Sequence, residues 1–187
     1  DIERFRWDSY NDISRNNNFN NRGVNQLTLI DGFLYASTQF GIVEFEPETG
    51  LVRDSFVNLG SFNRGTPVQA LAYENGRFYA GTPSGLAIGE RSGDGLSVPA
   101  NWQNTDGTGG FGNFQNRIEA VGAQGQNIYI SDGTQNYSFD EMTPSAGWQE
   151  TSLFFGTIER FRFSKSRQVL IGIGSSDISL LFWDGSR

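Results

Sequence analysis

From residue 24 onward the chain is a succession of short runs in which apolar and polar residues alternate, broken by turns rich in Gly, Asn and Asp. Val24-Asn25-Gln26-Leu27-Thr28-Leu29-Ile30 alternates with a period of two, which predicts a strand. Asp31-Gly32 follows, a hairpin signal because Gly tolerates the positive φ of a tight turn. Residues 33–37 and 41–46 predict a second and a third strand, residues 47–50 another turn, and residues 51–57 a fourth strand.

The same order recurs. The second unit runs from Val68 through residues 68–73, a turn at 74–76, a strand at 77–81 and a third over 86–88, with its outer strand expected within 96–103 and marked by Trp102. The third takes residues 118–121, a Gln124-Gly125 turn, residues 127–131 and 137–139, with Trp148 marking its outer strand. The fourth takes residues 158–163, a turn at 164–166, then 168–173 and 178–183. The units start near residues 24, 68, 118 and 158, a period of roughly 40–50 residues. Four short antiparallel strands at that period predict an all-β fold, a β-propeller of four-stranded blades. One blade has two apolar faces and cannot bury both alone, whereas blades stacked around an axis bury one another. A β-sandwich of hairpins is the competing fold, but it does not require a matched period.

Residues 1–11 add one orphan strand, with large and polar residues alternating over Arg4-Phe5-Arg6-Trp7-Asp8-Ser9-Tyr10. Residues 11–23, rich in Asn, read as a loop. The strand count admits two arrangements within a single domain over 1–187. Residues 4–10 supply the missing fourth strand of the last blade and close a four-bladed ring, or they finish a blade of a larger propeller from which these four repeats come. The expectation leans to the larger propeller and a longer chain.

Composition narrows the chemistry. Sixteen Phe, four Trp and 24 Gly among 187 residues suit a fold of many short strands. The formal charge of −7 disfavours nucleic acid and anionic lipid, which need clustered Lys and Arg. Cys and His are both absent. That excludes disulfides, a Cys nucleophile, a Ser-His-Asp triad and zinc held by Cys or His. No apolar run approaches the ~20 residues of a membrane helix, so membrane insertion is not expected. No cofactor or metal is expected either. Asp-Gly pairs at 94–95, 106–107 and 132–133 lack the spaced ligands of a calcium loop and read as turns.

Within the repeats a tighter motif stands out. Unit two carries Gly76-Arg77-Phe78-Tyr79-Ala80-Gly81-Thr82-Pro83-Ser84-Gly85-Leu86, and unit one Gly32-Phe33-Leu34-Tyr35-Ala36-Ser37-Thr38-Gln39-Phe40-Gly41-Ile42. Unit three departs at Ser131-Asp132-Gly133-Thr134, and unit four at Gly172-Ile173-Gly174-Ser175. The motif resembles the two-component regulator propeller repeat, over about residues 24–183. Propellers of that family lie outside the inner membrane, some in hybrid histidine kinase sensors, others in type IX secretion proteins that handle an anionic surface polysaccharide. The resemblance implies a periplasmic or cell-surface protein with a binding or scaffold role in a sensor or secretion assembly. It offers no catalytic motif to carry over.

The loops before each unit repeat a signature of their own: Phe19-Asn20-Asn21-Arg22, Phe62-Asn63-Arg64 and Phe114-Gln115-Asn116-Arg117, with Phe154 but no Arg in the fourth. In a propeller these loops lie on one rim. Arg22, Arg64 and Arg117, with Asn21, Asn63 and Asn116, are therefore the expected ligand site, since Arg forks suit carboxylate or phosphate and amides suit sugar hydroxyls. The competing reading makes the Phe plugs between blades and the Asn and Arg caps on strand ends. The expected partner is a glycan or a protein. No catalytic residue is assigned. The enzymatic alternative is a glycoside hydrolase using Glu119 and Glu159, which hold equivalent positions in their units. A third alternative is a purely protein–protein platform.

Overall fold

The computed structural model of the chain describes residues 19–91, 95–107, 110–154, 156–164 and 168–182. The expected strand over 4–10 and Trp183 lie outside the described residues. Blade 1 contains β1 (Val24–Ile30), β2 (Phe33–Thr38), β3 (Gly41–Phe45) and β4 (Val52–Phe56). Blade 2 contains β5 (Ala70–Glu74), β6 (Arg77–Thr82), β7 (Gly85–Glu90) and β8 (Trp102–Asn104). Blade 3 contains β9 (Ala120–Gln124), β10 (Asn127–Ser131), β11 (Asn136–Asp140) and β12 (Gln149–Glu150), and blade 4 β13 (Ile158–Ser164), β14 (Val169–Gly174) and β15 (Ile178–Phe182). Each blade is an antiparallel sheet whose strand order follows the sequence.

The turns form for the reasons the residues suggest. Asp31 and Gly32 both take positive φ (48° and 83°), as do Asn75 and Gly76 (50° and 80°), the geometry that matches the twist of a two-residue hairpin. The Thr-x-x-Gly step closes the next turn through its hydroxyl. Thr38 Oγ1 donates to Gly41 O at 3.0 Å and accepts from Phe40 N, and Thr82 Oγ1 donates to Gly85 O at 2.8 Å and accepts from Ser84 N. In blade 3 the Asp132 carboxylate does this work, with Oδ1 accepting from Thr134 N and Gln135 N at 2.8 Å each.

Differences fall at the outer strands. Most of the 96–103 stretch is not strand: Gly95–Ser97 and Pro99–Asn101 are 3₁₀ turns and only Trp102–Asn104 pairs with β7. Trp148 precedes β12 rather than lying in it. The blade 3 hairpin turns at Gly125 and Gln126, with Gln124 still in strand.

Three hydrophobic clusters cement successive seams. One joins Tyr35, Ile42 and Phe56 of blade 1 to Leu71, Phe78 and Trp102 of blade 2. The next joins Tyr79, Leu86 and Ile88 of blade 2 to Val121, Ile128 and Phe139 of blade 3. The third joins Ala120 and Tyr129 of blade 3 to Ile158, Phe161 and Leu170 of blade 4. A fourth lies on the opposite face of blade 1 and contains Ala36, Phe40, Val43 and Phe45, with Phe19 packed against it. The innermost strands β1, β5, β9 and β13 together line one central cavity of about 710 Å³, reached by Thr28, Glu74, Val121 and Arg162. The four sheets thus stand in a ring as a four-bladed β-propeller.

Candidate binding rim

Strand alternation sends every loop that enters an innermost strand to one end of the ring, beside the turn between the second and third strands of the preceding blade. Backbone bonds hold this meeting. Val68 N, just before β5, donates to Thr38 O of blade 1, and Ile118 N, before β9, donates to Thr82 O of blade 2, both at 2.9 Å. Ile158 N reaches Asn136 Oδ1 at 3.4 Å, and Asn136 Nδ2 donates to Gly156 O at 2.7 Å. The opposite end is tied separately, by an Arg91–Asp31 ion pair (2.8 Å) and by Asn75 Nδ2 donating to Gly125 O at 2.7 Å.

On the first rim the four loop phenylalanines pack inward, as the plug reading expects. Phe19 stacks on Phe40, with ring centres 4.6 Å apart and planes 7° from parallel. Phe62 packs against the blade 1–blade 2 cluster. Phe114 is buried with its edge to Tyr137, and Phe154 is buried between Tyr129 and Phe161. Two of the three arginines meet at one of these plugs. Arg22 Nε donates to Phe19 O at 3.1 Å, and the Arg64 guanidinium lies over the Phe19 ring, 5.5 Å from its centre. Asn21 and Asn63 stand exposed beside them. Asn21 Oδ1 accepts from Gly23 N, and Asn63 O accepts from Thr66 Oγ1, so both also shape their loops.

Arg117 is placed differently. It is exposed and ion-paired through Nε to Glu119 Oε1, with Asn116 exposed beside it. Glu119, Thr157 and Glu159 line one shallow cleft of about 380 Å³ between blades 3 and 4. The two equivalent carboxylates do therefore share a cleft, one of them with a cation beside it.

Sequence reasoning missed a polar knot on the same rim. Ser61 N donates to Asn104 Oδ1 at 2.7 Å, Ser61 Oγ to Asp106 Oδ2 at 3.0 Å, and Asn104 Nδ2 to Leu59 O at 3.0 Å. These groups border a groove of about 590 Å³ that Trp102 also lines. Their only signal was a run of polar residues after Trp102. Asp132 was read as a turn residue, and it is one. Burial alone would raise its carboxyl, but donors from Thr134, Gln135 and Tyr137 outweigh that and hold it below the usual carboxylate range. Among the described residues, no cluster of three or more acidic side chains is placed to hold a metal ion. No helix among the described residues is long and apolar enough to cross a membrane.

Comparison with known proteins follows the same lines. Among curated proteins none matches the chain. Among solved structures the fold is similar to PorZ, described as an essential bacterial surface component of the type IX secretion system of Porphyromonas gingivalis, at 16% identity and a TM-score of 0.59. That match covers 92% of this chain but only 22% of PorZ, so the chain spans about a fifth of that protein's length. The extracellular domain of the putative hybrid two-component system BT4673 from B. thetaiotaomicron is similar at 15% identity and a TM-score of 0.55, covering 88% of this chain and 21% of that one. The computationally designed protein Ika4 is similar at 10% identity and a TM-score of 0.53, covering 86% of this chain and 91% of the design. At these identities the likeness is one of fold. Residues 6–103 match the family described as "TSS9, PorZ, N-terminal beta-propeller domain". With that match spanning half of its length, the chain belongs to the family of PorZ N-terminal β-propeller domains of the type IX secretion system.

Proposed function

We propose that this propeller is a non-catalytic extracytoplasmic binding and scaffold module, and that its rim recognises an anionic glycan within a secretion or sensor assembly. The observation that carries the reading is the meeting of Arg22 and Arg64 at the Phe19 plug, with Asn21 and Asn63 exposed beside them. Two cations and two amides on loops braced by the Phe19–Phe40 stack match a sugar acid. The guanidinium groups take the carboxylate and the amides take hydroxyls. Arg117 and Asn116 extend the same rim toward blade 3. Family membership supports a place at the bacterial surface, with further parts of a longer chain as its neighbours.

Calorimetric titration with neutral and anionic oligosaccharides tests this, with the Arg22→Ala/Arg64→Ala/Arg117→Ala variant as control. Binding confined to anionic members and lost in the variant supports the rim. No binding by well-folded protein overturns the glycan reading and leaves a protein–protein platform.

A second reading rests on the cleft shared by Glu119 and Glu159. Paired carboxylates suit glycoside hydrolysis, but one must be held protonated as the acid. In this cleft the Glu119 carboxylate is already engaged by the Arg117 guanidinium. Absence of oligosaccharide cleavage by the wild-type protein would dispose of this reading, and cleavage abolished in Glu119→Gln and Glu159→Gln would establish it.

A further inference from the structure

At one level of the ring the four innermost strands carry unlike residues. Their last ladder pairs before the inner hairpins are Ile30–Phe33, Glu74–Arg77, Gln124–Asn127 and Ser164–Val169. Two positions back stand Thr28, Ala72, Gly122 and Arg162, and all four line the central cavity of about 710 Å³. A cation is thus set at a level where blades 2 and 3 bring only small residues.

The faces of the strands place apolar surface beside it. On β13, Phe161 and Phe163 pack into the blade 3–blade 4 cluster, so Arg162 between them takes the face turned away from blade 3. On β1, Ile30 is buried in the blade 1–blade 2 cluster and Gln26 Nε2 donates to Leu71 O at 2.8 Å, so Leu27 and Leu29 look away from blade 2. In a ring of four, these two faces turn toward one another, and Leu27, Leu29 and Arg162 all line the cavity. Leu27 is 54% exposed and Leu29 69%. Apolar side chains left open to a cavity on an innermost strand gain by being covered.

The polar groups of the cavity are unequally engaged. Asp31 is ion-paired to Arg91 at 2.8 Å, and Glu74 Oε1 accepts from Gly125 N at 3.2 Å. Arg162 is exposed, its NH1 donates to Phe161 O at 3.1 Å, and among the described residues it forms no ion pair. Most of the donors of its guanidinium fork remain for an acceptor. Thr28 Oγ1 accepts from Gln26 Nε2 at 2.8 Å, which leaves its own proton to donate.

We propose that the central cavity binds an organic acid with an unbranched aliphatic tail, Arg162 and Thr28 taking the carboxylate and Leu27 and Leu29 covering the tail. The planar fork of arginine matches a carboxylate in two parallel bonds. One guanidinium balances a single negative charge, whereas a phosphate dianion would meet one cation with Asp31 and Glu74 on the cavity border. The cavity volume falls in the range of about 300–1,000 Å³ that holds one small ligand. Leucines rather than amides line the approach to Arg162, so this site differs in chemistry from the rim around Phe19.

Calorimetric titration with decanoate and with decylammonium, which share a tail and differ in charge, tests the assignment. Decanoate should bind at one site, and decylammonium on the order of 10-fold more weakly, the factor of one charge-assisted hydrogen bond. Arg162→Gln should weaken decanoate by a similar factor, and Leu29→Asp should abolish its binding. Both side chains are exposed, so neither substitution opens the core, and circular dichroism verifies the fold of each variant. The Arg22→Ala/Arg64→Ala/Arg117→Ala variant should bind decanoate as the wild type does, which separates this cavity from the rim. In amide NMR spectra, decanoate should shift Thr28, Leu29 and Arg162. No saturable binding of decanoate overturns the proposal. So does equal binding of decylammonium, full binding by Arg162→Gln, or loss of binding in the rim variant.

Discussion

Tyr79 Oη donates a 2.7 Å hydrogen bond to Glu141 Oε1 across the seam between blades 2 and 3. Arg77 NH1 holds the other oxygen of the same carboxylate at 2.8 Å. The phenol is almost fully buried, so without Glu141 it would lose its partner in a region water does not reach. Tyr79→Phe should cost about 1–2 kcal/mol in denaturant unfolding, because Arg77 still satisfies Glu141. Glu141→Ala should cost more, since it strands the buried hydroxyl and leaves Arg77 with Glu90 as its remaining carboxylate. If Glu141→Ala is the milder of the two, the bond does not hold the seam.

The next seam is tight rather than polar. Gly122 on β9 faces blade 4, and a Cβ there would lie 2.8 Å from Phe161 Cβ. Gly122→Ala should destabilise by about 1–3 kcal/mol through overpacking. Phe161→Ala opens the space that the new methyl needs, so the double variant should fall short of the sum of the single ones. Strict additivity in a double-mutant cycle would show that the two residues do not compete for one volume.

Gly85 separates two causes that usually travel together. Its φ of 125° suits only glycine, and a Cβ would meet Phe114 O at 2.4 Å. Gly32 also has positive φ, 83°, but a Cβ there meets nothing within 4 Å. Gly32→Ala should therefore cost about 1 kcal/mol, from conformation alone, and Gly85→Ala about 3 kcal/mol or more, from conformation and collision with the backbone of the blade 3 entry loop. Equal losses in thermal unfolding would mean that the loop yields.

These contrasts mark what local pattern does and does not convey. Asp31-Gly32 and Asn75-Gly76 announced their hairpins because turn geometry is decided within four residues. Thr38 and Thr82 repeated because each closes its own turn with its own hydroxyl. Trp102 does mark its outer strand, β8, whereas Trp148 falls just before β12. Their indole nitrogens donate to Leu96 O and Phe111 O, in stretches where Pro99 and Pro144 open 3₁₀ turns. On the rim, the Phe plugs followed from their regular recurrence before each blade. The division of the arginines, two around Phe19 and one on Glu119, did not, because it depends on neighbouring loops with different partners.

Burial of the tyrosines predicts how the fold responds to alkali. The Tyr35 phenol is pushed up to about 12, by burial first and by Glu44 second. Tyr79 is raised by burial and by its bond to Glu141, and Tyr129 by burial and by Asp140. In each the folded state favours the neutral phenol, so the folded pKa lies above the unfolded one. The stability they contribute is complete below the ordinary phenol value of 10.0 and is lost as pH rises toward the folded values. For Tyr35 that window runs from 10.0 to about 12, and there each such phenol removes about 1.4 kcal/mol per pH unit. The chain has no histidine, so no imidazole adds a step to its stability profile near neutral pH. Tyrosinate absorbance followed together with circular dichroism should show the buried phenols ionising only as the sheet signal collapses. Reversible ionisation of all six tyrosines near pH 10.0 with the sheet signal intact would mean that these phenols are open to solvent.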